Sequence, residues 1–193
     1  MDISPFELLL KSIAPRTATA STVNVLSRVI VQGYFLTISN LEKRDRELKL
    51  FFTISEPSDP PIGSPANETR VLDNKTVLLY DVAAKNVPIN FRRTEVVNEK
   101  FIRYESDSFI LPSWATVSLQ LLPDVQQFLN NQQSLLEVRG FASLTSDDAV
   151  SPGELFFNPE IRGTFIPDNL SDPVKDIDFD QIAYSLGTTR TKV

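Results

Sequence analysis

The chain has 193 residues, 41% of them hydrophobic and 23% charged, with a net charge of −6 and neither His nor Cys. That length holds one sizeable core, and no apolar run reaches the roughly 20 residues a bilayer-crossing helix needs. The missing residue types exclude disulfides, thiolate and imidazole metal sites and the Ser-His-Asp and Cys-His catalytic machineries, and the scattered cations make nucleic acid an unsuitable partner.

The first segment, MDISPFELLLKS, begins with an acid and lacks the basic region of a signal peptide, so the expectation is a cytoplasmic protein with no membrane partner. Ser4, Pro5 and Glu7 read as an N-cap, a first-turn proline and the third-position acid of a capping box. Phe6, Leu9, Leu10 and Ile13 then recur at helical spacing, and Pro15 ends the run. The pattern predicts a short helix over residues 1–15, too short to stand alone, whose apolar stripe docks on its own domain or on another copy.

From residue 21 the period falls to two. Val23, Val25, Val29 and Val31 alternate with Asn24, Arg28 and Gln32, and Gly33 interrupts before YFLTIS, as at a bulge or bend in a long strand. NLEKRDRE reads as a solvated charged turn, and ELKLFFTIS as a strand with Leu48, Leu50, Phe52 and Ile54 on one side. EPSDPPIGSPANET (residues 56–69) carries four prolines and no hydrophobic rhythm, and reads as a surface loop. Strand-like runs follow at 76–82, 86–93 and 100–111, then WATVSLQLL, and PDVQQFLNNQQ has the look of one or two helical turns. Roughly eight to ten short strands with few helical patterns predict an all-β fold, an antiparallel β-sandwich or jelly roll over residues 16–170. Residues 171–193 read as an acidic, loosely attached tail.

Two copies of a Glu, aliphatic, Arg, Gly motif stand at 137–140 and 160–163. Folded as a hairpin over 135–144 and 155–164, they place Arg139 opposite Glu160 and Glu137 opposite Arg162, a reciprocal pair of cross-strand charges. The same register puts Leu136, Val138, Ala142 and Leu144 on a core face with Leu155, Phe157 and Ile161.

Little in the chain resembles catalytic or cofactor-binding machinery. Asp176, Asp178 and Asp180 in DIDFD resemble the start of a calcium loop, but Gln181 stands where that loop needs Gly and Gly187 where it needs the bidentate Glu. The glycine-rich phosphate signatures are absent, so no cofactor is expected. Trp114 alternates in phase with Thr116, Ser118 and Gln120, and Phe51, Phe141 and Phe156 likewise fall on the polar sides of their strands. Polar faces bearing large aromatics are covered within the molecule or meet a partner.

The leading expectation is therefore a non-enzymatic interaction or assembly protein, self-associating or bound to another protein. Its candidate contacts are Phe6, Leu9, Leu10, Ile13, Phe51, Trp114, Phe141 and Phe156. The alternative is a module binding a small ligand such as a carbohydrate at Trp114 and loop 56–69. A carboxylate-dependent hydrolase ranks third, because nothing selects one pair among the 25 acids.

Overall fold

A computed structural model of the chain describes residues 1–12, 28–55, 68–69, 71–81, 85–97, 101–125, 135–146, 154–167, 181–187 and 189–192. Every regular element in that set is a strand, and nearly all the pairing is antiparallel. The all-β expectation holds; the N-terminal helix does not. Asp2–Ser12 is strand β1, paired with β11 (Leu135–Ser146) and, through Leu9 to Ser12, with β2 (Arg28–Asn40).

The run Phe6, Leu8, Leu10 has strand period, whereas Phe6, Leu9, Leu10 has helical period. The Leu8–Leu10 triplet satisfies both, and all three are buried. Burial of a strand on both faces produces this kind of continuous apolar run. Ser4, read as an N-cap, instead shares a hydrogen bond of 2.8 Å with the Tyr34 hydroxyl inside the core. Pro5 is tolerated because β1 has a partner on only one side there: β2 joins from Leu9 onward.

The remaining strands are β3 (Arg46–Ser55), β4 (Glu68–Thr69), β5 (Thr76–Asp81), β6 (Val87–Ile89), β7 (Phe91–Val97), β8 (Phe101–Ser106), β9 (Phe109–Leu111), β10 (Thr116–Pro123), β12 (Glu154–Pro167), β13 (Gln181–Ser185) and β14 (Thr189–Lys192). They hydrogen-bond in the order β6-β5-β10-β2-β1-β11-β3-β8-β7. The two ends of that series belong to one stretch of chain. Val87–Ile89 pairs with β5, Phe91–Val97 pairs with β8, and Asn90 between them accepts from the Asp107 amide at 2.8 Å. The sheet therefore curls back on itself into a nearly closed, barrel-like form.

Its other turning point is Gly33. One edge of β2 is covered by β12 at thirteen successive positions, from Leu155↔Asn40 to Pro167↔Arg28. Tyr34 to Ser39 also pair with β10, while Val29 to Gln32 pair with β1, so the opposite edge changes partner at Gly33. A Cβ on Gly33 would lie 2.5 Å from Leu122 Cδ2 and 3.1 Å from the Leu121 carbonyl, both at the end of β10. The interruption predicted there is a place where strands crowd and branch.

One core fills the interior. Phe6 lies edge-on to Phe52, with ring centroids 5.7 Å apart, and tilted against Tyr34 at the same separation. Tyr80 of β5 meets Phe109 of β9 at 5.3 Å and donates to the Ile110 carbonyl at 2.6 Å, tying the two sides of the fold together. The Tyr34 and Tyr104 phenols are both enclosed, and burial pushes each well above the ordinary phenol range; a hydrogen bond from Tyr104 to Asp73 adds to its shift.

The proposed hairpin of 135–144 with 155–164 is also corrected. Its core faces are right, since Leu136, Val138, Ala142, Leu144, Leu155, Phe157 and Ile161 are all buried. The partners are wrong: β11 lies between β1 and β3, while β12 lies between β2 and the β13 and β14 strands. The segment read as a tail thus carries two strands laid along β12. The helical turns read over 123–133 fall mainly outside the described residues, as do Ile13, Val23, Val25 and residues 56–67 of the proline-rich loop.

Candidate functional site

The most distinctive surface feature is built by two turns at one end of the sheet, residues 41–45 between β2 and β3 and residues 112–115 between β9 and β10. Asn40 ends β2 and is 2% exposed. Its Oδ1 accepts from the Glu42 amide at 3.1 Å, forming a local turn. Its Nδ2 reaches the carbonyls of Arg44 at 2.7 Å, Pro112 at 3.1 Å and Leu111 at 3.3 Å. One buried amide thus joins both turns.

Main-chain bonds complete the clamp. The Trp114 amide donates to the Glu42 carbonyl at 3.1 Å, the Asn40 amide to the Ala115 carbonyl at 2.9 Å, and the Ser113 amide to the Asp45 carboxylate at 2.8 Å. Beneath them Arg46, read from sequence as part of a solvated turn, is 1% exposed and bonds the Glu42 carboxylate through Nε at 3.0 Å. Arg44 Nε reaches the same oxygen at 3.2 Å. Burial works to raise the Glu42 carboxyl, but the hydrogen bonds from Arg46, Arg44 and the Glu154 amide outweigh it and hold the group below the usual carboxylate range.

Trp114 sits on this clamp with φ of 56° and its side chain 62% exposed. Left-handed backbone is costly for a bulky residue and persists only where the surroundings over-determine it. A shallow depression of about 410 Å³ lies beside the indole, lined by Leu41, Glu42, Lys43, Arg44 and Trp114. Trp114 was legible as an aromatic on a polar face. Asn40 and Arg46 were not singled out, although an Asn at a strand end is a turn signal in itself.

The other predicted contact residues are dispersed. Phe6, Leu9 and Leu10 are buried within the molecule. Phe51 is half-buried with the Arg103 guanidinium 5.9 Å from its ring, and Phe156 is half-buried on β12. Phe141 is partly exposed between Pro5 and Thr53 on the neighbouring strands. Phe51 and Phe141 share the outer face of the adjacent β3 and β11. Trp114 stands apart on its turn.

The Glu and Arg residues of the repeated motif find other partners. Arg139 Nε donates to Glu7 at 2.6 Å, and its Nη1 lies 2.6 Å from Glu137, which also pairs with Lys11. Burial would raise the Glu137 carboxyl, but Lys11 and Arg139 together lower it. Arg162 bonds Glu160 two residues away on its own strand, at 2.6 Å and 2.8 Å, and lies 4.7 Å from the Phe35 ring centroid. That hydrogen bonding lowers the Glu160 carboxyl as well.

Asp176, Asp178 and Asp180 lie outside the described residues. Among the described residues no three acids converge to hold a metal ion, and no helix is long and apolar enough to cross a membrane. A scan against protein-family models finds no match for the chain, and neither does a search of curated proteins.

Proposed function

We propose that this chain is a non-enzymatic β-sandwich that acts in interaction or assembly, self-associating through the Trp114 turn. The carrying observation is the large indole held 62% exposed, in strained backbone, on a turn clamped by a buried Asn. A rigid aromatic anchor orders little on binding and is a frequent centre of interface energy. A catalytic reading has less support. A general acid would need a raised pKa at neutral pH, and the three carboxyls Glu42, Glu137 and Glu160, held low by paired cations, do not serve as one.

Light scattering after size exclusion tests the proposal, on the parent chain and on Trp114→Ala. A concentration-dependent oligomer that W114A returns to a folded monomer supports it. A parent chain that is monomeric at every concentration, or an oligomer indifferent to W114A, refutes it. The depression beside the indole favours a second reading, a small polar ligand such as a sugar stacked on Trp114. Quenching or a shift of indole fluorescence on sugar titration, with no change in mass, selects that reading over the first.

A further inference from the structure

We propose that β13 and β14 form a donor segment, which one copy of this chain supplies to the edge of β12 away from β2 in a second copy. The inference rests on the self-association reading and adds to it a second contact, made within the assembly that the Trp114 turn holds together. One edge of β12 is filled by β2 along its whole length. Among the described residues, its other edge is covered by β13 and β14 alone, in registers running from Thr164↔Gln181 to Glu160↔Ser185 and from Phe157↔Thr189 to Glu154↔Lys192. A strand of fourteen residues left bare along that edge would be a template for pairing with another chain.

The β13 part of the covering segment is held mainly by its backbone. All five side chains of β13 are exposed, with Ile182 at 42% and Tyr184 at 45%. Leu186 is the peg: it packs against the core, and its amide donates to the Pro159 carbonyl at 2.9 Å. Gly187, at φ of 96°, then redirects the chain from β13 into β14. A ladder of main-chain bonds with one apolar peg is the pattern of strand addition, in which the backbone gives affinity and a pocket gives specificity.

The identical ladder forms whether the strand comes from the same chain or from another copy. Intramolecular and exchanged states then differ chiefly in effective concentration, the condition under which strands swap between protomers. Charge suits the acceptor edge, since residues 181–192 carry Arg190 and Lys192 and no acid, and Lys192 is the register partner of Glu154.

The chain has no Cys, so introduced thiols are unique, and Thr164 and Gln181 are register partners. Full-length T164C and Q181C chains, mixed in their native state and treated with oxidised glutathione, are expected to give a disulfide-linked dimer of one chain with the other. Its yield should exceed that of either chain oxidised alone, and L186D in the Q181C chain should reduce it at least fivefold. If the T164C/Q181C double variant closes only as a monomer and the mixture gives no dimer, the strand stays with its own chain and the proposal fails. If neither cross-links, the ladder itself is wrong and the proposal fails with it. A parent chain that scatters as an oligomer, without this cross-link, leaves association through Trp114 standing and removes strand donation alone.

Discussion

Gly140 is the position where one added carbon should do the most damage. It lies in β11 between Phe6 of β1 and Ile54 of β3, and a Cβ there would sit 2.1 Å from the Thr53 carbonyl oxygen and 3.0 Å from Ile54 Cα. A carbon and an oxygen normally approach no closer than about 3.3 Å, so β3 would have to retreat by about 1 Å from a spacing of roughly 4.8 Å. Backbone cannot swing aside as a side chain can. Overpacking typically costs about 1–3 kcal/mol, and each ladder bond lost adds about 1 kcal/mol, so Gly140→Ala should destabilise by about 3–5 kcal/mol. Two internal controls fix the interpretation. In Gly33→Ala the close contact is the movable Leu122 side chain, and the expected loss is about 1–2 kcal/mol. In Gly163→Ala the nearest atoms are at 3.4 Å or beyond, so the variant should match the parent or gain up to about 1 kcal/mol from a stiffer unfolded chain. Urea unfolding followed by far-ultraviolet circular dichroism ranks the three. If G140A falls within about 1 kcal/mol of G163A, the strand-crowding argument is refuted.

Other consequences follow from the polar contacts. Asn40→Ala leaves the carbonyls of Arg44, Leu111 and Pro112 without that amide, and should cost about 1–3 kcal/mol while loosening the Trp114 turn, read as increased indole mobility by fluorescence anisotropy. A double-mutant cycle between Glu7 and Arg139 should give a coupling of roughly 0.2–1 kcal/mol, whereas the Arg139 and Glu160 cycle should give none, because those residues stand on strands that are not neighbours. At acid pH the lowered Glu42, Glu137 and Glu160 carboxyls contribute stability that is whole above about 4.5, their ordinary value, and lost as pH falls below it. At alkaline pH the sign reverses: Tyr34 and Tyr104 are raised, so their contribution is whole below the ordinary phenol value of 10.0 and lost as pH rises beyond it. Unfolding midpoints across both ranges, with phenolate absorbance tracked at the alkaline end, check both signs.

What the sequence discloses here is the face of a strand, and what it withholds is the neighbour. Alternation correctly sorts Leu48, Leu50, Phe52 and Ile54 of β3 and Val117, Leu119 and Leu121 of β10 into the core, because side-chain period is local geometry. Pairing is not local. The Glu and Arg residues at 137–140 and 160–163 satisfy each other on paper, yet any acid on a neighbouring strand would serve Arg139 equally, and the one that does is Glu7, 132 residues away. The N-terminal segment failed for a related reason: three consecutive buried leucines fit two periods, and only the strands on either side decide between them. Arg46 escaped because a charged residue in a charged run reads as solvated, whereas its burial depends on Glu42 folding back over it. Trp114 is legible as an aromatic in phase with polar positions; its exposure and the clamp beneath it depend on two turns, residues 41–45 and 112–115, that lie far apart in the chain.

That clamp also separates structure from function at one residue. If the turn at 112–115 served the fold alone, position 114 would be better filled by a residue that tolerates left-handed backbone. An L residue other than Gly, Asn or Asp pays roughly 1–2 kcal/mol there. The indole recovers little of that by burial, being 62% exposed. Trp114→Asn should therefore raise stability by about 1 kcal/mol, since Asn accepts a φ of 56° and keeps the amide that bonds Glu42. The same change should abolish association, because the anchor is gone while the clamp is intact. The two effects have opposite signs and are read by independent measurements, urea unfolding and light scattering. A W114N chain that is less stable than the parent shows that the indole holds the turn together; one that is more stable and still associates shows that the exposed indole is not the contact. Only a gain in stability joined to a loss of association fits a side chain maintained, against the preference of its own backbone, for what it touches outside the molecule.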